Sequence, residues 1–186
     1  LPCTACEVQR ELGVKRATCF DLSAACTGFV VAYNTAAAYL NAGVYQTALI
    51  IGSESLSNLT NWKDRGTCIL FGDGAGAAVL KSEDMRYDRS ELSPEDLPKP
   101  DEKEYLMQMD GREVFMFAVK SVPQAVKEVL EKNNVAQEEI SFYILHQANK
   151  RIVEAIAKRL GEPLEKFPMN LEEYGNTSSA SIPILL

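Results

Sequence analysis

The sequence predicts an α/β fold, and three observations carry that prediction. Short apolar runs of strand length alternate with segments of helical period. One of those segments, Phe29 to Leu40, is apolar or small nearly all round, the pattern of a buried helix. Beyond it, Tyr45 to Ile51 is a continuous apolar run, as expected of a strand in a sheet covered on both faces. The composition agrees: 186 residues, 46% hydrophobic and 24% charged, are the balance of a chain that buries a core, which excludes disorder and collagen.

The elements follow in order. Thr4 to Leu12 has a helical pattern closed by Gly13, with nothing ahead of it to act as a cap. Ala17 to Leu22 reads as a strand. Ser23 to Thr27 is a tight turn into the helix that ends at Ala42-Gly43, and Thr67 to Phe71 and Ala75 to Leu80 read as two strands joined by Gly72-Asp73-Gly74. Lys81 to Glu104 carries five basic residues, nine acidic residues and three prolines, and is expected to be a solvated excursion. Arg112 to Asn133 returns to a helical period, with Pro123 a candidate kink. Ser141 to Leu145 is a strand, Asn149 to Leu160 a helix stopped by Gly161, and Met169 to Leu171 a short strand before the Gly175-Asn176 turn. An apolar helix then starts with Thr177 or Ser178 as N-cap. Both ends fall within or against helical patterns, so the chain reads as an interior portion of a longer protein.

Nineteen basic against twenty-six acidic residues give a net charge of −7, which removes electrostatic support for indiscriminate nucleic-acid or anionic-membrane binding. No apolar run approaches the roughly 20 residues of a membrane span. A protein of the cytoplasm is expected, and the five cysteines suit its reducing conditions as free thiols. Cys3-Thr4-Ala5-Cys6 lacks a second ligand pair, so no metal is expected. Gly72-Asp73-Gly74-Ala75-Gly76 lacks dinucleotide-loop spacing and is read as a tight turn.

Three residues stand out chemically. Cys26, in Asp-Leu-Ser-Ala-Ala-Cys-Thr-Gly, lies where the chain enters a buried helix, whose N–H groups and partial positive charge stabilise anionic sulfur. Small neighbours leave room there for a substrate. His146, the only histidine, ends the apolar run Phe142 to Leu145, and strand ends are where α/β sheets meet ligands. Asn176 lies in Tyr-Gly-Asn-Thr-Ser-Ser-Ala-Ser, where an amide either caps a turn or donates to a developing oxyanion.

Cys26 in DLSAACTGF, His146 in LHQAN and Asn176 in YGNTSSAS, together with DRGT and FGDGAGAAVL, closely resemble the β-ketoacyl-acyl carrier protein synthase III family. The resemblance runs over nearly the whole chain. It implies a thiolase-like fold of αβαβα layers, with residues 1–104 the remainder of an N-terminal half and 105–186 part of a C-terminal half, usually as a homodimer. The implied reaction condenses an acyl-CoA primer with malonyl-acyl carrier protein and needs no cofactor beyond the coenzyme A thioester itself. Carried over by residue, Cys26 is the acylated nucleophile and His146 and Asn176 the pair that stabilises the enolate. Arg65 resembles the arginine stacked on the adenine of coenzyme A, and Phe115 and Asn149 fall on the pantetheine tunnel. Arg112 stands there too, where the family commonly has a smaller amide residue, and Arg151 matches a carrier-protein docking position.

Overall fold

The computed structural model describes residues 3–82 and 109–186. Most of the expected 81–104 excursion therefore lies outside the described residues.

Helix α1 (Thr4–Glu11) forms where the sequence places it, and its cap comes from a distance. The Asp21 carboxylate accepts the N–H groups of Thr4 at 2.8 Å and Ala5 at 2.9 Å. These bonds to the start of α1 hold the Asp21 carboxyl below its ordinary range. The 17–22 segment is consequently a bracing loop and not the expected strand; Phe20 and Leu22 stay exposed.

A 3-10 turn, Ala25–Thr27, leads directly into α2 (Gly28–Asn41), and Gly43 closes that helix at φ 70°. Helix α2 is buried along one stripe only, through Phe29, Ala36, Ala37 and Leu40, while Val30, Tyr33 and Tyr39 face out. Strands β1 (Thr47–Glu54) and β2 (Gly74–Lys81) pair antiparallel, with Ile50 opposite Ala78. Among the described residues burial alternates along β1, with Ile50 inside and Leu49 and Ile51 exposed: α2 and the C-terminal segment pack against one face of the strand pair.

Three other expected strands, at 67–71, 141–145 and 169–171, are absent among the described residues. Residues 67–71 turn instead, because the Asp64 carbonyl accepts from Thr67 and Cys68 while its carboxylate accepts from the Gly66 N–H and the Thr67 hydroxyl. Local side-chain bonds of this kind compete with ladder formation. Only Phe71 makes a bridge, parallel to Asn176. The tight turn expected at 72–76 does not form as read: Gly74, Ala75 and Gly76 belong to β2, and Gly72 and Asp73 lead into it without a turn. The 141–145 segment forms no ladder, and its Tyr143 N–H donates to the Lys166 carbonyl at 2.8 Å.

A second core forms around α3 (Gly111–Lys132) and α4 (Lys150–Leu160). The Asp110 side chain caps α3, which continues through the buried Pro123. Gly161, at φ 73°, ends α4, whose Ile152, Val153, Ile156 and Leu160 pack towards Tyr143 and Phe167. Those two rings stack with centroids 4.7 Å apart. The expected strand at 169–171 is replaced by a helical turn, α5 (Leu171–Tyr174).

The last segment returns to the first core. A 3-10 turn, Ser178–Ala180, precedes α6 (Ser181–Leu185), and both lie across β1 and β2. Neither Thr177 nor Ser178 caps with its side chain. The approach is close enough that a Cβ on Gly52 would sit 2.5 Å from the Ser179 carbonyl oxygen.

Candidate active site

Residues 176–181 are all buried; this segment contains Asn176, bonds to His146, and lies against the turn that carries Cys26. The backbone of Asn176 is fixed first: its N–H donates to the Leu70 carbonyl at 2.9 Å, and its own carbonyl accepts from Gly72 at 2.9 Å. Its side-chain oxygen accepts the Ser178 N–H at 2.9 Å. The amide thus caps the turn with its oxygen, while its NH2 makes no hydrogen bond among the described residues. The two roles weighed from sequence, turn former and oxyanion donor, use different atoms of one group.

His146 reaches the same segment from the other core. Its Nδ1 lies 2.6 Å from Ser181 Oγ, leaving Nε2 without a hydrogen-bond partner among the described residues. Burial lowers its pKa from the ordinary 6.5, so the imidazole is held neutral. Beside it, the fully buried Gln147 donates to the Leu145 carbonyl at 3.0 Å and accepts from the Asn170 N–H at 3.2 Å, which fixes the chain on either side of the ring.

Cys26 approaches from the third direction. Its turn lies against Ser178–Ala180, and a Cβ on Gly28 would stand 3.0 Å from Ser179 Cβ. Ala25, just before it, has φ 46°, a left-handed conformation that costs a non-glycine residue on the order of 1–3 kcal/mol. Glu54, at the end of β1, accepts both the Ser179 N–H at 3.2 Å and its hydroxyl at 2.5 Å. The buried turn is therefore tied to the strand beneath it.

A cleft of about 390 Å³ opens beside this centre, lined by Leu70, Ala148, Asn149, Arg151, Leu171 and Gly175. It adjoins His146 and Asn176 along the chain, through Ala148 and Gly175. Asn149 also caps α4 by accepting the Arg151 N–H at 2.9 Å. The remaining residues singled out in the sequence lie elsewhere. Arg65 is exposed on the turn organised by Asp64, Arg112 is exposed in the first turn of α3, and Phe115 packs against the α4 core.

Known proteins resemble this chain along its whole length. The profile of 3-oxoacyl-[acyl-carrier-protein] synthase III matches residues 20–94, and that of its C-terminal part matches residues 130–186. A β-ketoacyl-[acyl-carrier-protein] synthase III of Clostridium acetobutylicum is 45% identical over 203 aligned positions. The chain belongs to the 3-oxoacyl-[acyl-carrier-protein] synthase III family.

That alignment covers all of this chain and 62% of the Clostridium protein, so the chain spans less than two thirds of the relative it matches. Among solved structures, the family's Aquifex aeolicus enzyme superposes with a TM-score of 0.85 at 44% identity, covering 99% of this chain and 61% of that one. The priming β-ketosynthase of the R1128 polyketide pathway superposes at 0.83 with 31% identity, over 100% of this chain and 60% of its own. The chain therefore carries part of a thiolase-like α/β fold.

Sequence reasoning missed Ser181, Gln147 and Glu54. Gln147 had a legible signal, a polar residue directly after an apolar run and beside the only histidine. Ser181 closes the YGNTSSAS run, but its partner is 35 residues away, and Glu54 had no signal, its partner being 125 residues away. Among the described residues no cluster of His, Cys, Asp or Glu is placed to hold a metal, and no helix is long and apolar enough to cross a membrane.

Proposed function

We propose that the chain carries the catalytic centre of a decarboxylative condensing enzyme that initiates fatty acid synthesis. The observation that supports this reading best is the convergence on residues 176–181: the turn presents the Asn176 amide, bonds His146, and packs against the Cys26 turn. In the first half-reaction Cys26 sulfur attacks the thioester carbonyl of an acyl-CoA primer, the C–S bond to coenzyme A breaks, and its thiolate leaves. In the second, malonyl-acyl carrier protein loses carbon dioxide. The electron pair of the broken C–C bond moves into an enolate, whose oxygen receives hydrogen bonds from His146 Nε2 and Asn176 Nδ2. The enolate carbon then attacks the acyl carbonyl and expels Cys26 sulfur.

A neutral imidazole suits this role, since it donates through one nitrogen without delivering an extra proton. The 390 Å³ cleft, with Asn149 and Arg151 at the start of α4, offers a path for the pantetheine arm and a basic rim for the acidic carrier protein. Arg65, Arg112 and Phe115 are assigned to coenzyme A binding on resemblance alone. We read residues 1–104 and 105–186 as parts of the two similar halves of one subunit, and the protein as a cytoplasmic homodimer.

The R1128 likeness favours a second reading, a priming β-ketosynthase of secondary metabolism with the same three groups. Mass spectrometry after incubation with acetyl-CoA tests what both readings share: an acyl adduct on Cys26 is expected, and its absence from intact protein leaves only an interaction module. Turnover of malonyl-acyl carrier protein then separates condensation from simple acyl transfer. Arg151→Glu should raise the KM for carrier protein more than that for acyl-CoA; equal KM changes would remove the docking role.

A further inference from the structure

We propose that Ser181 is a positioning residue that fixes the tautomer of His146, its hydroxyl donating to Nδ1 so that the ring proton resides on Nε2. The purpose of that proton rests on the condensing-enzyme reading, whereas the tautomer itself rests only on geometry. Ser181 is 1% exposed, and its Oγ lies 2.6 Å from Nδ1. The backbone N–H of Gln147 donates to the same oxygen at 3.4 Å. Among the described residues Oγ has no further hydrogen-bonding neighbour.

Two arrangements of hydrogens are available. If Nδ1 carried the proton, Ser181 Oγ would accept from both the ring and Gln147, and its own hydrogen would be buried with no acceptor. If Ser181 donates, its hydrogen, the Nδ1 lone pair and the Gln147 N–H are all satisfied. Buried polar groups without partners are disfavoured strongly enough to decide between the two. The neutral ring has one proton, so an accepting Nδ1 leaves Nε2 as the donor. Ser181 is the first residue of α6, on the same buried segment as Asn176. A single rigid turn therefore supplies one donor directly and selects the other.

The 186 residues contain a single histidine, which makes the test direct. Nitrogen-15 NMR of intact protein labelled at histidine, with His146→Ala to assign the signals, should show a protonated Nε2 and an unprotonated, hydrogen-bonded Nδ1. In Ser181→Ala the Nδ1 resonance should move to that of a nitrogen accepting no hydrogen bond. The kcat for malonyl decarboxylation should fall about 10- to 10²-fold with KM and Cys26 acylation unchanged. A proton on Nδ1 in the wild type overturns the proposal whether or not the variant folds, and so does a folded Ser181→Ala whose ring signals match the wild type. A wild-type spectrum as expected in a protein that cannot decarboxylate malonyl-acyl carrier protein would sink the condensing reading and leave the tautomer assignment standing.

Discussion

At Ala25, with φ 46°, and at Ser178, with φ 48°, the backbone passes through the left-handed region and continues by a 3-10 turn into a helix. In the first turn Ala25 and Thr27 are exposed and Cys26 is half-buried, whereas residues 176–181 are buried throughout. The difference suits the roles proposed for the two turns. A nucleophile would have to be reached by a thioester, and the Cys26 turn is the more exposed of the two. Hydrogen-bond donors for an enolate would have to be preorganised and kept from competing water, and the 176–181 turn is enclosed, with its polar atoms tied to Leu70, Gly72, Glu54 and His146.

This contrast sets the order of effects. Cys26→Ala should abolish acylation altogether, because no other group replaces the sulfur. His146→Ala and Asn176→Ala should leave acylation near normal and each lower condensation by about 10²–10³-fold, the usual loss for one oxyanion donor. Single-turnover acylation and steady-state condensation separate the two turns, and parallel loss of both half-reactions in Asn176→Ala would dissolve the distinction.

Gly52→Ala tests whether the buried turn depends on close approach. The new Cβ would lie 2.5 Å from a backbone oxygen, so destabilisation of about 1–3 kcal/mol in chemical denaturation is expected. The same substitution at Gly43, whose Cβ would meet nothing within 4 Å but whose φ is 70°, should cost only its backbone strain. Equal losses at the two sites would deny the crowding.

Glu54→Ala removes the shared acceptor of Ser179, and should cost about 1.5–3 kcal/mol, with condensation falling before acylation does. An unchanged unfolding midpoint would show that Glu54 does not hold the turn.

The smallest effect is on pH dependence. Burial lowers the His146 pKa below 6.5, so the unfolded chain binds more protons than the folded one as the pH falls past that value. Stability is then complete above about 6.5, declines as the pH falls through the folded pKa, and levels below it. In His146→Gln that part of the acid slope should vanish; an identical slope would mean the ring titrates normally.

The comparison of the turns also shows how far local pattern reaches. Helices α2, α3 and α4 were legible because their apolar pattern is written within each segment, with Gly43 and Gly161 marking the ends of α2 and α4. Both turns were legible as runs of small residues around Cys26 and Asn176. The strands expected at 17–22 and 67–71 were not so decided: an apolar run permits a strand, but a ladder also needs a neighbour. Asp21 and Asp64 commit those backbones to capping and turning instead.

By itself the sequence determined the family the chain belongs to and singled out the side chains proposed here to carry the chemistry, since residue identity and order along the chain suffice for that. Only the tertiary structure decided how they work together. The bond from His146 to Ser181, the ties from Ser179 to Glu54 and the enclosure of residues 176–181 join positions from distant parts of the chain. Such contacts exist only once both cores have formed, because hydrogen bonds between remote residues depend on packing that no local pattern encodes.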